Sequence, residues 1–253
     1  MTKTEKQPES LKDVLLDPDG PELGDDFLAL GGERNRRLVE RLRAEEESER
    51  QLEAACLHRQ DHPRIGVLAI QGDYAAHAEA LADSGADPVE IRNPDELDGL
   101  DGLILPGGES TTMLKFLERR GFFEALEKFA AGKPVFGTCA GAILLAREVR
   151  HPAQRSLGAI DAVVERNAYG RQIDSKILIA PTSLPGGPLE MVFIRAPRIA
   201  ETGPGVEVLA RREGFPVLVR QGKLMAATFH PELSADRRVH RLFVDTVIAS
   251  TQK

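Results

Sequence analysis

The sequence is poor in aromatic residues and in cysteine. Tryptophan is absent from its 253 residues, and aromatic residues make up only 5% of them. A core built from this chain must therefore be mainly aliphatic. The two cysteines, Cys56 and Cys139, are too few for a disulfide framework, and they suit a reducing cytoplasm better than an oxidising compartment.

Long apolar runs and an excess of basic charge are also missing. The longest apolar runs, such as 143–146, fall far short of the roughly 20 residues that a membrane helix needs. The first residues lead into no apolar stretch, which disfavours a signal peptide. The formal net charge is −7, which argues against non-specific nucleic-acid binding, because such binding depends on clustered Lys and Arg. These absences favour a cytoplasmic protein that binds neither membrane nor nucleic acid.

Residues 1–62 differ in composition from the rest of the chain. They hold 16 Asp and Glu against 10 Lys and Arg, and so carry −6 of the net charge of −7. The segment 35–57 has few helix breakers, and its apolar residues are loosely spaced as in a helix. We expect residues 1–62 to be an acidic N-terminal extension, partly helical or disordered, and residues 63–253 to form the catalytic domain.

From residue 64 onward, short apolar runs alternate with helical patterns. The runs 65–70, 89–91, 102–105 and 134–137 read as buried parallel strands, with helices expected over 73–81 and up to about 131. Further short strands are expected at 160–165, 174–179, 190–194, 206–211, 216–220 and 223–228, and a closing helix at 235–249. This alternation predicts an α/β fold with a mostly parallel central sheet flanked by helices. Ligands bind beyond the carboxyl ends of the strands in such a sheet.

Cys139 lies in the segment Gly137–Gly141, between an apolar strand and an apolar helical stretch. The pattern Gly-x-Cys-x-Gly is the cysteine counterpart of the nucleophile elbow, in which the flanking glycines permit a tight strand-to-helix turn. The dipole of the following helix favours the thiolate form. The backbone N–H of Ala140 would point at an oxyanion formed during attack. The competing interpretation is a buried structural cysteine, the better one for an isolated Cys.

His230 follows a predicted strand directly and has a carboxylate, Glu232, two residues later. Pro231 between them is expected to rigidify an extended bend and to exclude a helix there. The imidazole would take the thiol proton, and the carboxylate would set the imidazole tautomer. Five other histidines compete for this role, although they lack that context: His58, His62, His77, His151 and His240.

With nucleophile and base in place, the region from about 64 to 247 resembles the glutaminase subunit of pyridoxal 5′-phosphate synthase, a class I glutamine amidotransferase family with a flavodoxin-like fold. The resemblance is carried by LAIQG (68–72), LPGGESTTM (105–113), FGTCAG (136–141), VERN (164–167), GRQ (170–172), FIRAP (193–197) and FHPEL (229–233). Residues 1–62 depart from the family, whose members begin near the equivalent of residue 64.

The resemblance implies a Cys139, His230 and Glu232 triad that hydrolyses L-glutamine without a metal or an organic cofactor. The N–H of Gly108, or of its neighbour, would complete an oxyanion hole with that of Ala140. The resemblance also implies that the substrate is contacted by Gly108, Glu109, Ser110, Arg166, Ile194 and Arg195. A selective glutamine site needs a cation for the α-carboxylate, and Arg166 is preferred over Arg195 for that role.

The resemblance further implies a barrel-shaped synthase subunit that receives the ammonia inside a hetero-oligomeric complex. Three alternatives stay open. The chain could be a class I glutaminase of another biosynthetic pathway, although the GGEST and IRAP segments speak against it. It could be a catalytically silent regulatory subunit, or a cysteine hydrolase or peptidase on the same sheet architecture.

Overall fold

The fold is described from a computed structural model of the chain, over residues 62–119, 121–166 and 176–252 and at Arg41, Ala44, Glu47 and Ser48. The chain divides into two units, residues 1–58 and 59–253. In the first unit, the four described residues are helical and exposed. Apart from His62, the other residues of the predicted extension lie outside the described part of the chain, so its boundary at residue 62 stays a prediction.

The second unit alternates strands and helices in its first half. In chain order these are β1 (Arg64–Leu68), α1 (Tyr74–Ala82), β2 (Asp87–Ile91), a 3-10 turn (Pro94–Leu97), β3 (Gly102–Leu105), α2 (Ser110–Arg119), α3 (Phe122–Gly132), β4 (Val135–Thr138) and α4 (Ala140–Leu145). The second half is richer in strands. It contains β5 (Ala146–Arg150), β6 (Ile160–Glu165), β7 (Lys176–Ala180), β8 (Leu189–Phe193), β9 (Arg198–Thr202), β10 (Glu207–Arg212), β11 (Phe215–Gln221), β12 (Leu224–Ala227), a second 3-10 turn (Pro231–Leu233) and α5 (Arg238–Thr251).

Seven strands form one central sheet in the order β10-β11-β12-β4-β3-β1-β2. The run from β12 to β2 is parallel, and β10, β11 and β12 pair antiparallel at the other edge. Strands β5, β6 and β9 form a smaller sheet, and β7 and β8 form a hairpin pair. The predicted α/β fold with a mostly parallel central sheet is therefore confirmed.

Two aliphatic cores cover the faces of the central sheet, because successive side chains of a strand point to opposite faces. Leu103 and Leu105 of β3 pack with α2, α3, α4 and the smaller sheet. Ile104 between them packs on the other face, with α5 and the β7–β8 hairpin. Phe136 of β4 lies in that second core, with its ring 5.6 Å from that of Phe243 in α5. Both faces are thus closed, which accounts for strands that are apolar at nearly every position.

The sequence prediction missed two strands and both 3-10 turns. Strand β5 follows α4 without a loop, so the helix after Cys139 has only six residues. Strand β9 was not predicted either, since its residues Arg198–Thr202 alternate in burial and carry polar side chains. Pro231 was expected to exclude a helix, yet it begins a 3-10 turn. The expectation was wrong because proline is tolerated at the first helical position, where its missing N–H would have no partner.

Within the described part of the chain, no helix combines the length and apolarity needed to cross a bilayer.

Candidate active site

The carboxyl ends of β1, β3, β4 and β12 meet at one edge of the central sheet, because these strands are parallel. Gln71 follows β1, the Gly107–Gly108 loop follows β3, Cys139 follows β4, and His230 follows β12. Segments that are up to 160 residues apart in the sequence are therefore brought to a single edge.

Cys139 occupies the turn between β4 and α4 with φ 46° and ψ −100°. Positive φ is uncommon for a residue that is not glycine, and the turn is held in this conformation by its surroundings. One constraint is close packing, because a Cβ at Gly141 would lie 1.9 Å from the carbonyl oxygen of Leu105. Another is the hydrogen bond from the N–H of Cys139 to the carbonyl of Ala227, at 2.8 Å. This geometry is that of a nucleophile elbow.

His230 and Glu232 form a buried pair beside the thiol. Nδ1 of His230 lies 2.7 Å from Oε1 of Glu232, and the two residues are only 5% and 4% exposed. The 3-10 turn at Pro231 brings the two side chains together. The backbone N–H of His230 also donates to the carbonyl of Val192 in β8, at 2.8 Å, which ties this turn to the hairpin.

Burial of His230 lowers its pKa, but interactions with Cys139 and Glu232 outweigh burial and raise the pKa to about 10. The side-chain hydrogen bond with Cys139 is the largest favourable contribution. Contacts with Cys139 and Glu232 therefore favour the protonated form of His230, the form found in thiolate–imidazolium pairs. The site can supply a nucleophile and a proton donor from adjacent side chains.

The Gly107–Gly108 loop closes over the same two residues. A Cβ at Gly107 would lie 2.5 Å from Cε1 of His230 and 3.4 Å from Cβ of Cys139. Only glycine allows the loop to approach this closely. Gly108 has φ 130° and lies against the Gln71 side chain, whose amide nitrogen donates to the carbonyl of Glu109 at 2.6 Å. Gly107 thus lies against the Cys139 side chain. Of the two predicted oxyanion-hole residues, Gly108 follows Gly107 in this loop and Ala140 follows Cys139 in the chain.

Glu109 and Arg166 lie next to each other beyond this loop. Glu109 caps α2, because its carboxylate accepts from the N–H groups of Thr111 and Thr112 at 3.0 and 2.6 Å. The hydroxyl of Thr112 makes the largest contribution to a pKa of about 2 for Glu109. Nη2 of Arg166 lies 3.7 Å from Oε1 of Glu109 and donates to the hydroxyl of Thr111 at 2.7 Å. A fixed anion and a fixed cation thus stand side by side.

The remaining predicted substrate residues lie at different distances from the thiol. The carbonyl oxygen of Ile194 lies 4.0 Å from Sγ of Cys139. Arg195 follows it with φ 44° and has an exposed side chain. The hydroxyl of Ser110 lies 3.1 Å from the side-chain oxygen of Gln154 and so is engaged away from the triad.

Two residues of the site were not identified from the sequence. The carboxylate of Asp73, before α1, lies within 4.8 Å of ligand atoms of His230 and Glu232. One helical turn later, Nε2 of His77 lies 3.3 Å from Oε2 of Glu232. The available signal was their spacing of four residues directly after β1. It was too weak to separate His77 from the other histidines.

Comparisons with known proteins agree with this geometry. The model of the SNO glutamine amidotransferase family matches residues 67–249. Pyridoxal 5′-phosphate synthase subunit PdxT of Koribacter versatilis is 62% identical over 184 residues, which are 73% of this chain and 95% of that protein. The subunit of the same name from Thermotoga neapolitana is 52% identical over 186 residues, covering 73% of this chain and 99% of its own.

Solved structures give the same result. A crystal structure described as a glutamine amidotransferase is 48% identical, with a TM-score of 0.67, and covers 72% of this chain and 98% of its own. A chain in the structure of PurLQS from Thermotoga maritima, at 18% identity and a TM-score of 0.53, shares the fold over 76% of this chain and 100% of its own. The matched region contains the Cys139 turn, the Gly107–Gly108 loop and the His230–Glu232 turn. The chain therefore belongs to the SNO glutamine amidotransferase family.

Proposed function

We propose that this chain is the glutaminase subunit of a pyridoxal 5′-phosphate synthase, and that Cys139, His230 and Glu232 hydrolyse L-glutamine to L-glutamate and ammonia. The observation that carries this proposal is the buried pair of His230 and Glu232, 2.7 Å apart, beside a cysteine held in an elbow conformation. A nucleophile, a base and a group that orients the base define such a triad by geometry, whatever their order in the chain.

The Cys139 thiolate attacks the side-chain amide carbon of glutamine. The N–H groups of Gly108 and Ala140 stabilise the oxyanion that forms. His230 then gives its proton to the departing nitrogen, and ammonia leaves a glutamyl thioester on Cys139. Water, deprotonated by His230, attacks the thioester, and glutamate leaves as the thiolate is restored. All atoms come from glutamine, water and these side chains, so the sequence of steps balances without a metal or an organic cofactor.

The Arg166–Glu109 pair suits the main-chain end of the substrate. Free glutamine carries an α-carboxylate and an α-ammonium close together, and the pair offers the opposite charges 3.7 Å apart. Arg166 is only 15% exposed in its side chain, whereas the Arg195 side chain is exposed. We therefore assign the α-carboxylate to Arg166 and the α-ammonium to Glu109, since a partly buried guanidinium binds a carboxylate more strongly than an exposed one. Ile194 contributes its carbonyl near the thiol, and Ser110 and Arg195 border the site.

The ammonia is best delivered to a partner without passing through solvent, because free ammonia is mostly protonated and unreactive near neutral pH. The relatives at 62% and 52% identity are named as subunits of pyridoxal 5′-phosphate synthase. The proposed recipient is therefore the synthase subunit of that enzyme, a barrel-shaped protein by the family resemblance, bound to this chain in a hetero-oligomeric complex.

The test is glutamate release from glutamine, measured with and without the synthase subunit of the same source. Cys139→Ala removes the nucleophile, and Cys56→Ala is the matched control, because it changes the other cysteine of the chain. We expect glutamate release by the wild type and by Cys56→Ala in the complex. Release by Cys139→Ala should fall by at least ~1,000-fold, since removing a triad nucleophile can cost as much as about 10⁶-fold in kcat.

Other outcomes would point elsewhere. If no glutamate forms under any condition, the chain is a silent regulatory subunit. Turnover that ignores the synthase subunit would keep the triad but indicate a glutaminase of another pathway. Cleavage of peptides instead of glutamine would indicate a cysteine hydrolase.

A further inference from the structure

A buried cluster of two histidines lies directly behind the triad. His77 of α1 and His240 of α5 are both 0% exposed, and Nδ1 of His77 lies 3.0 Å from Nε2 of His240. The other ring nitrogen of His77, Nε2, lies 3.0 Å from the hydroxyl of Thr138 and 3.3 Å from Oε2 of Glu232. The cluster thus joins two helices to the residue before the nucleophile and to the carboxylate of the triad.

Both histidines are neutral at working pH. Burial lowers the pKa of His77 well below its ordinary value, with a further lowering by His240. Burial also lowers the pKa of His240 to about 3, with a smaller lowering by Arg237. Each ring therefore carries one proton, and the single hydrogen bond between them has two possible directions.

The surroundings select one of these directions. If His77 donated from Nδ1, the proton of His240 would sit on its own Nδ1, which is buried and has no hydrogen-bond partner among the described residues. A buried donor without an acceptor is costly. In the same arrangement, the bare Nε2 of His77 would face the carboxylate of Glu232. The network therefore assigns the donor role to Nε2 of His240 and leaves the proton of His77 on Nε2.

The Nε2 proton of His77 lies near Oε2 of Glu232, an oxygen that accepts no hydrogen bond from the described residues. Oε1 of Glu232 is bonded to His230, whereas Oε2 is buried and makes no hydrogen bond of good geometry within the described part of the chain. An unpaired buried carboxylate oxygen is expensive. Nε2 of His77 lies 3.3 Å from this oxygen and 3.0 Å from the hydroxyl of Thr138, so a small rotation of its N–H from the hydroxyl towards the carboxylate would complete the bond.

We infer that His77 is a positioning residue of the reaction, which orients the Glu232 carboxylate from behind while His240 holds His77 in the tautomer that can donate. Glu232 in turn fixes the tautomer of His230, so the effect of His77 reaches the thiol through two hydrogen bonds. The inference rests on the proposed function, because it assigns a further residue to the same triad.

The charged and titratable groups that face the cluster are few. His230 and Glu232 lie on the triad side, and Arg237 lies before α5, where Nη1 is 3.4 Å from the carbonyl of Glu232. Asp73 lies at the exposed end of α1 near the same carboxylate. Without the donor of His77, Oε2 of Glu232 has no nearby donor among these groups, and a carboxylate that is less well held supports a charged His230 less well.

The test compares His77→Leu, which removes the donor, with His77→Gln, whose amide N–H can replace Nε2–H. Leu81→Ala is the matched control, because Leu81 is fully buried on the same helix one turn later. Two pH profiles are recorded for each variant. One is glutamine turnover in the complex with the synthase subunit. The other is the rate of Cys139 alkylation by iodoacetamide in the chain alone, which needs no turnover.

We expect His77→Leu to lower kcat about 10- to 100-fold, the range found when a residue that orients a functional side chain is lost, with KM nearly unchanged. The acid limb of both profiles should move to higher pH. His77→Gln should recover most of the rate, and Leu81→Ala should lower stability without moving either limb.

Two results would overturn the inference and leave His77 a packing residue. One is an acid limb of the alkylation profile that does not move in His77→Leu. The other is a rate of glutamine turnover in His77→Gln that is no higher than in His77→Leu. If His77→Leu does not fold, His240→Leu tests the same network, since it removes the donor to Nδ1 of His77 and must shift the same limb. A wild type that releases no glutamate refutes the proposed function alone, because the alkylation profiles still decide the role of His77.

Discussion

The backbone of Cys139 shows how one residue is prepared for reaction. Its φ of 46° and ψ of −100° place it outside the regions that residues with a side chain prefer, at a cost of order 1–3 kcal/mol. The bond from its N–H to Ala227 and the tight packing of Gly141 against Leu105 hold it there. These contacts offset the strain of the backbone and keep Cys139 in the turn between β4 and α4.

The two arginines of the substrate site differ in surroundings, which leads to a prediction for each. Arg166→Met should raise KM for glutamine at least ~10-fold, with a smaller change in kcat, because it removes the cation paired with the α-carboxylate in both the ground state and the transition state. Arg195→Met, the matched control, should change KM less than about 3-fold, since its side chain is exposed. Steady-state kinetics in the complex measure both values. A larger effect at Arg195 would exchange the two roles.

Helices α1 and α5 both carry a buried histidine, and the pairing has a cost in stability at low pH. A histidine that is neutral in the native state but free to take a proton in the unfolded state favours unfolding as the pH falls. For His240 the window runs from the ordinary pKa of about 6.5 down to the native value of about 3. Stability is therefore highest above this window and is lost as the pH falls through it.

His240→Gln should reduce this dependence, because glutamine does not titrate and its amide can still donate to His77. Between pH 6 and pH 5 the wild type should lose about 1.4 kcal/mol per pH unit more than the variant, the value for one proton. Urea unfolding at a series of pH values measures it. Above pH 7 the two curves should run parallel. Curves that are parallel down to pH 4 would show that His240 takes up a proton in the native state as well.

The second 3-10 turn, Pro231–Leu233, is the shortest element that the site requires. It folds the chain so that His230 and Glu232, two residues apart in the sequence, form a hydrogen bond of 2.7 Å. Arg237 braces the end of the turn by donating to the carbonyl of Ser234 at 2.8 Å. Pro231 restricts the backbone at the start of the turn, so the His230 and Glu232 side chains of the proposed triad meet with little loss of entropy.

At the scale of the whole molecule, residues 63–253 should fold and act without the extension. The family match spans residues 67–249, and every described strand lies after residue 62. A chain that begins at residue 63 should keep its melting temperature within a few degrees and its glutaminase rate in the complex within about 2-fold. Calorimetry and glutamate release measure these. A large loss in either would give residues 1–62 a structural or regulatory role.

The sequence by itself predicted the family, the sheet and the edge of the sheet at which the candidate site lies. Parallel strands read as continuous apolar runs because both faces are covered, and their carboxyl ends share one edge. Cys139, His230 and the Gly107–Gly108 loop each follow such a run directly. Local pattern alone was therefore enough to predict that these segments meet. The seven-stranded sheet and the match to the glutamine amidotransferase family confirm the fold and the resemblance.

Only the tertiary structure decided what stands behind the triad. His77 and His240 are 163 residues apart, and each lies on a helix whose sequence shows no motif. Strand β9 was missed for a related reason. Its short alternating pattern does not identify a strand by itself, and the strand is defined by its pairing with β6. A contact between side chains that are distant in the sequence depends on how the helices pack across the sheet. That packing depends on all the side chains of the core together. A sequence motif identifies candidate reactive residues that are close together in the chain. The residues that position them come from distant segments, and only the fold shows which these are.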